Sequence, residues 1–142
     1  MSIISATSKE RDLLARLMRA EAVGEGELGM LMVGNVGANR VLADCLTFKN
    51  IRTITHMIEQ TPGGFSGPNS PLFFSNPTTA ERNMADRIIR GEYYHPATNS
   101  LWFYAPKKGE NCQPTWWEQR LSGRYKNHCF YSPETGVCKQ IR

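Results

Sequence analysis

The sequence has no run approaching the roughly 20 apolar residues of a membrane-spanning helix, so no membrane span is expected. It also has no block of about five or six basic residues. Lys and Arg exceed Asp and Glu by 17 to 13, but these charges are dispersed. That pattern argues against a dedicated nucleic-acid binder. It leaves either simple solubility or a general preference for polyanions, a carboxylate-bearing wall polymer among them. Cysteine is scarce: Cys45, Cys112, Cys129 and Cys138 include no Cys-x-x-Cys, which removes the common structural zinc patterns. Buried free thiols are the expectation for a cytosolic chain, whereas an oxidising environment would allow a disulfide among Cys112, Cys129 and Cys138. Histidine is scarcer still (His56, His95 and His128), and no His-x-x-x-His or His-Glu-x-x-His occurs. His128-Cys129 with Cys138 comes nearest to a ligand cluster, but adjacent strand residues face opposite ways. No metal and no cofactor are therefore expected, and nothing in the spacing gives Cys129 a second base. Gly24-Glu-Gly26 lacks the lysine and third glycine of a phosphate loop. The opening residues, Met1 to Asp12, show neither the basic region nor the apolar core of a secretory signal. Synthesis in a cytosol without export by the general pathway is expected.

What is present suits one domain over residues 1–142, with 40% hydrophobic residues and 6 Phe, 5 Tyr and 3 Trp. Thr7-Ser-Lys-Glu10 fits a capping box that opens a helix, which Gly24 and Gly26 then stop. A second helix is expected from about Leu28 to Leu42, with Gly34, Gly37 and Ala38 forming a small-residue face for close helix packing. Asn35 and Asn39, four residues apart on another face, are either core hydrogen-bonders or cleft residues. Thr53 is expected to cap a short helix through Glu59, and Thr61 to Pro71 reads as a loop. Asn76-Pro77 is expected to start a helix that runs to Arg90 and ends at Gly91. The aromatic stretches Ser100 to Tyr104 and His128 to Tyr131 read as strands, and Pro114 to Arg120 between them as a helical turn. Helices first and a small sheet last make an α+β fold.

One residue breaks the pattern. Leu14, Leu17 and Met18 form the apolar stripe of the first helix, and Glu21 occupies its next position. One reading is a core ion pair with Arg40 or Arg87. The other is a general acid, because apolar surroundings disfavour the ionised carboxyl and keep a proton available. Glu25 stands four residues on and would lie beside Glu21 if the helix continued that far. Aromatics and amides around such an acid suggest glycosidic bond cleavage.

Arg19-Ala-Glu21-Ala-Val-Gly-Glu25-Gly-Glu-Leu-Gly29, followed by Val36-Gly-Ala-Asn39-Arg40-Val41, closely resembles the opening motif of a bacterial cell-wall hydrolase family. That family includes the spore cortex-lytic enzymes SleB and CwlJ. Met57-Ile-Glu-Gln60 with Phe65-Ser66, Ser100-Leu-Trp-Phe103-Tyr104, and Asn127-His128-Cys-Phe130-Tyr131 match in the same order, so the resemblance spans nearly the whole chain. It is strongest to the CwlJ members, which likewise have neither a signal nor a wall-binding domain. The resemblance implies a lysozyme-like or transglycosylase-like catalytic domain, N-terminal helices with a small C-terminal antiparallel sheet. It implies degradation of cortex peptidoglycan in germination and places the family's essential glutamate on Glu21. Substrate contacts are implied on Glu25, Asn39, Gln60, Phe65, Tyr104, His128 and Phe130, some of which only shape the cleft. Tyr104-Ala105-Pro106 departs from the family pattern, which often has Asn before that proline. The same resemblance implies deposition from the mother-cell cytosol to the boundary of spore coat and cortex, a coat-protein partner, and a response to calcium dipicolinate. A single well-placed acid suits a lytic transglycosylase best. An N-acetylmuramoyl-L-alanine amidase and a non-catalytic coat or wall-binding protein are the alternatives.

Overall fold

Thr7 accepts a hydrogen bond from the backbone N–H of Glu10, and the Glu10 carboxylate accepts one from Thr7. This reciprocal cap starts helix α1, Ser8–Ala22. The computed structural model of the chain describes residues 2–60 and 64–138. A 3-10 turn, Val23–Glu25, links α1 to α2, Gly26–Ala43, and Gly26 makes the reversal with φ of +79°, a conformation that favours glycine. The expected second helix is therefore present and begins two residues early. Its small-residue face does what close packing requires. A Cβ on Gly34 would come within 2.8 Å of Ile88 and 3.0 Å of Met18, so α2 lies tightly against both neighbouring helices. Asn35 and Asn39 are fully buried core hydrogen-bonders.

Thr53 caps α3, Ile54–Glu59, as its sequence predicts. Thr61–Gly63 of the predicted loop lie outside the described residues, and the remainder carries two 3-10 turns, Gly67–Asn69 and Pro71–Phe74. Helix α4, Thr79–Arg90, ends on Gly91 in the left-handed conformation. Its cap is Thr78, in a second capping box with Glu81, rather than Asn76 with proline at the first helical position.

Four strands follow: β1 Trp102–Tyr104, β2 Thr115–Trp116, β3 Gln119–Tyr125 and β4 His128–Ser132. They form an antiparallel sheet in the order β1-β4-β3-β2. Residues 114–120, expected as a helical turn, instead form the β2–β3 hairpin. Its two turn residues, Trp117 and Glu118, both have positive φ, as a two-residue hairpin loop requires. The sheet curls enough to bring side chains of its two edge strands together, with the rings of Tyr104 on β1 and Trp116 on β2 4.8 Å apart. Strand β4 is the spine. His128 and Phe130 turn toward Phe103, whereas Tyr131 packs under Tyr104 and Trp116. The architecture is the expected α+β arrangement of N-terminal helices and a small C-terminal antiparallel sheet.

The cysteines overturn the expectation of free thiols. Cys112 bonds Cys129, and Cys45 bonds Cys138, leaving no free cysteine. Alternation along β4 puts Cys129 on the face away from His128, where the 105–114 loop can reach it. Cys45 and Cys138, 93 residues apart in sequence, are brought together by the fold, which sequence spacing does not encode.

Candidate active site

Glu21 lies one residue before the C-terminal end of α1, where the helix meets the loop that carries Ser66 and Gly67. Its carboxylate accepts a hydrogen bond from the Gly67 backbone N–H, and the Ser66 side chain and the charge of Arg40 also act on it. Burial raises its pKa above the ordinary carboxyl value, while the Gly67 N–H, Arg40 and Ser66 pull in the other direction. Gly67 is needed for this approach, since a Cβ there would collide with the Glu21 carboxylate.

The loop is held by a residue two positions before the acid. Arg19 is buried, donates to the Leu72 carbonyl at 2.8 and 3.1 Å and to the Asn76 carbonyl at 3.2 Å, and pairs with Glu81 at 2.9 Å. A buried guanidinium satisfied by backbone carbonyls and a carboxylate is a fixed anchor. In the sequence, Arg19 stands out only as the first residue of the family-like motif.

Arg40 is one of the two partners that the ion-pair reading of Glu21 named, and its charge does act on the acid. It is buried on α2, its Nε donates to the Leu101 carbonyl at 2.9 Å, and its guanidinium lies 4.7 Å from the Phe48 ring centroid and 4.0 Å from that of Phe65. Desolvation lowers its pKa to about 9, and Glu21 opposes that shift. Arg87, the other expected partner, bonds Glu27 and Glu92 instead. Glu21 is therefore electrostatically coupled to Arg40 while still facing open space.

That space is a cleft of about 720 Å³. Glu21, Arg40, Phe65 and Ser66 form its helical side, and Leu46 and Thr47 lie at its rim. Trp102, Phe103, Trp116, Trp117 and Gln119 form the sheet side. Of the predicted site residues, Glu21 and Phe65 line the cleft. Gln60 touches its rim, donating to the Thr47 carbonyl at 3.0 Å. Tyr104, His128 and Phe130 form the layer behind. Tyr104 packs on Trp116, and the His128 and Phe130 rings lie 4.9 and 5.8 Å from Phe103. Asn39 donates to the carbonyls of Ala97, Thr98 and Ser100 at 3.2, 3.1 and 2.9 Å, tying α2 to the segment before β1.

Glu25 points elsewhere. The α-helix ends at Ala22, so the four-residue helical spacing to Glu21 is not realised. Its Oε1 accepts from the Asn127 backbone N–H at 3.0 Å, and Lys126 Nζ donates to its carbonyl oxygen at 3.1 Å, closing the β3–β4 turn. Nearby, burial lowers the pKa of His128, and the Glu25 carboxylate 3.7 Å away opposes that shift. Sequence reasoning missed Trp116, Trp117, Gln119 and Leu46. The only signal for the tryptophans was their density, which the helical-turn reading left without a role.

The chain matches the Cell Wall Hydrolase family over residues 24–131. The chain belongs to this cell wall hydrolase family. Proteins described as cell wall hydrolase CwlJ are similar to it over almost their whole length. The one from Oceanobacillus iheyensis is 50% identical over 141 residues, covering 99% of both chains. That from Bacillus subtilis is 45% identical, covering 99% of this chain and 97% of the relative. The fold is that of the catalytic domain of the Bacillus cereus SleB protein, with a TM-score of 0.70 at 22% identity, covering 90% of this chain and 93% of that one. It is equally that of the catalytic domain of a germination-specific lytic transglycosylase, SleB from Bacillus anthracis, at a TM-score of 0.69 and 19% identity over 90% and 98% of the chains. This cell wall hydrolase thus acts on peptidoglycan, and its cleft joins an acid to an aromatic wall. Among the described residues, no helix is long and apolar enough to cross a membrane.

Proposed function

We propose that this hydrolase cleaves the glycan strand of spore cortex peptidoglycan during germination, with Glu21 as general acid and base. The observation that carries the reading is a partly buried carboxyl, its pKa raised by burial, at the floor of an aromatic cleft. Protonated Glu21 gives its proton to the glycosidic oxygen as the bond from C1 of N-acetylmuramic acid breaks. The carboxylate then takes the proton of the muramic 6-hydroxyl, whose oxygen bonds to C1 and closes a 1,6-anhydro ring. No water is consumed, and the acid is regenerated. Arg40 and the Gly67 N–H stabilise the carboxylate formed between the two transfers. This lytic transglycosylase route needs one carboxyl, whereas hydrolysis by the usual glycosidase routes needs two. Glu25, directed at the β3–β4 turn, is not the second.

Phe65 contacts the sugar directly in this scheme, and Gln60 sets the rim. Asn39, Tyr104, His128, Phe130 and Glu25 act by shaping the walls. The likeness to CwlJ supports the cortex as substrate. The proposal also takes from the family resemblance in the sequence a place at the boundary of coat and cortex, a coat protein as partner, and a response to calcium dipicolinate.

Glu21→Gln keeps the size and hydrogen bonding of the side chain but removes the proton donor. It is expected to fold and to lose about 10³-fold in the rate at which purified cortex clears. Mass spectrometry of wild-type digests should show 1,6-anhydro-muramic ends. Reducing ends would mean a hydrolytic glycosidase, and intact glycan with freed stem peptides would mean an amidase.

A further inference from the structure

Six non-glycine residues among those described have a left-handed backbone: Asp44, Leu46, Asn50, Trp117, Glu118 and Lys126. Leu46 and Trp117 are the apolar members of this group, each with φ of 53°. Bulky side chains are rare in that region, where a left-handed backbone crowds Cβ. Both side chains are also exposed, Leu46 by 47% and Trp117 by 75%. Both line the cleft that holds Glu21, although 71 residues of sequence separate them. Backbone strain, apolar exposure and the same cleft thus coincide at two independent positions.

The surroundings of Trp117 are built to hold it there. Trp116 beside it is packed among Tyr104 at 4.8 Å, Tyr131 at 5.6 Å and Trp117 at 6.4 Å, giving the turn an immobile base. Gln119 Nε2 donates to the Trp117 carbonyl at 3.2 Å, which fixes the turn from the other side. A two-residue hairpin loop of this kind ordinarily takes Asn-Gly or Asp-Gly. Trp-Glu there sacrifices conformational ease to present an indole at the mouth of the site. A pyranose ring offers one face of C–H groups, which suits an indole π-face, and the methyl of an N-acetyl group suits a leucine.

We propose that Trp117 is a stacking platform for an N-acetylated sugar ring of the glycan strand, with Leu46 as a second apolar contact on the cleft rim. This subsite rests on the glycan reading of the cleft. It makes Trp117 a determinant of substrate grip rather than of the bond-breaking step.

The test uses the full chain carrying Glu21→Gln, titrated with peptide-free oligomers of alternating N-acetylglucosamine and N-acetylmuramic acid. Adding Trp117→Gly is expected to weaken Kd about tenfold. It should at the same time leave Tm unchanged or raise it by about 3 °C, because glycine relieves the left-handed strain. Trp117→Phe keeps a ring and should hold Kd within about threefold, and Leu46→Gly should weaken it by about threefold. An unchanged Kd for Trp117→Gly would overturn the subsite, as would a Tm loss showing that the indole merely supports the hairpin. Loss of affinity for free stem peptides instead of glycan oligomers would also overturn it. Failure of the parent Glu21→Gln protein to bind the oligomers at all would overturn the glycan reading together with the subsite. Persistent lysis by Glu21→Gln would remove the acid assignment alone, since the titration involves no catalysis.

Discussion

The two sides of the cleft are made differently. On the helical side, Glu21, Arg40 and Gly67 are packed, hydrogen-bonded and tied down through Arg19, and a methyl group has no room beside the acid. On the sheet side, Trp117 stands on a strained two-residue turn with most of its surface in solvent. A reacting carboxyl loses function when displaced by an ångström, so it is surrounded by atoms that cannot move. A binding surface gains from exposed area and tolerates small shifts. The difference teaches that chemistry and grip are separable in this molecule, so mutations on the two sides should have separate signatures.

The largest test of that separation is Glu21→Gln, with its expected loss of about 10³-fold in lytic rate and no loss of glycan binding. Weakened binding in the same variant would erase the distinction. Next comes Gly67→Ala, whose new methyl must push the carboxyl aside. A fall of about 10²-fold in kcat with KM nearly unchanged is expected, and a change mainly in KM would put the loop on the gripping side. Replacing Cys112 and Cys129 together by Ser opens a bond that spans 17 residues and braces the sheet side. It should lower unfolding stability by about 3 kcal/mol in denaturant titration and affect KM before kcat. The smallest effect is on the pH dependence of stability. The Glu21 carboxyl has its pKa raised in the folded state above its ordinary 4.5. Folded protein therefore holds this proton more tightly than unfolded protein. Stability is lost as pH rises from the ordinary value through the raised one, and Glu21→Gln should flatten that part of the curve.

Much of the helical side was legible because its signals are local. Thr7 with Glu10, Thr53 and Gly91 mark helix ends by hydrogen bonds within a turn, and Glu21 stands out because the apolar stripe has a fixed period. Arg19 was not legible, since its partners, the carbonyls of Leu72 and Asn76, are more than 50 residues away. The β2–β3 hairpin was misread for a different reason. Trp117-Glu118 lacks the glycine or asparagine that announces such a turn, and tertiary packing around Trp116 supplies what the local sequence does not. The disulfides depended on an assumed compartment, whereas fold geometry decided which thiols meet. The cleft rim, assembled from Leu46 and Trp117, belongs to no motif.

The two disulfides also divide the chain into covalently protected and unprotected parts. Cys45 and Cys138 close a ring that contains the whole sheet and the shorter ring of Cys112 and Cys129. One peptide bond cut anywhere between Cys45 and Cys138 leaves a single molecule, with both ends of the cut still tethered. Helix α1 lies outside that ring. A single cut at Val23–Glu25, where Val23 is exposed, would leave the acid-bearing segment attached by packing alone. The covalent weak point on the acid's side of the ring thus includes a turn that lies four residues or fewer from Glu21.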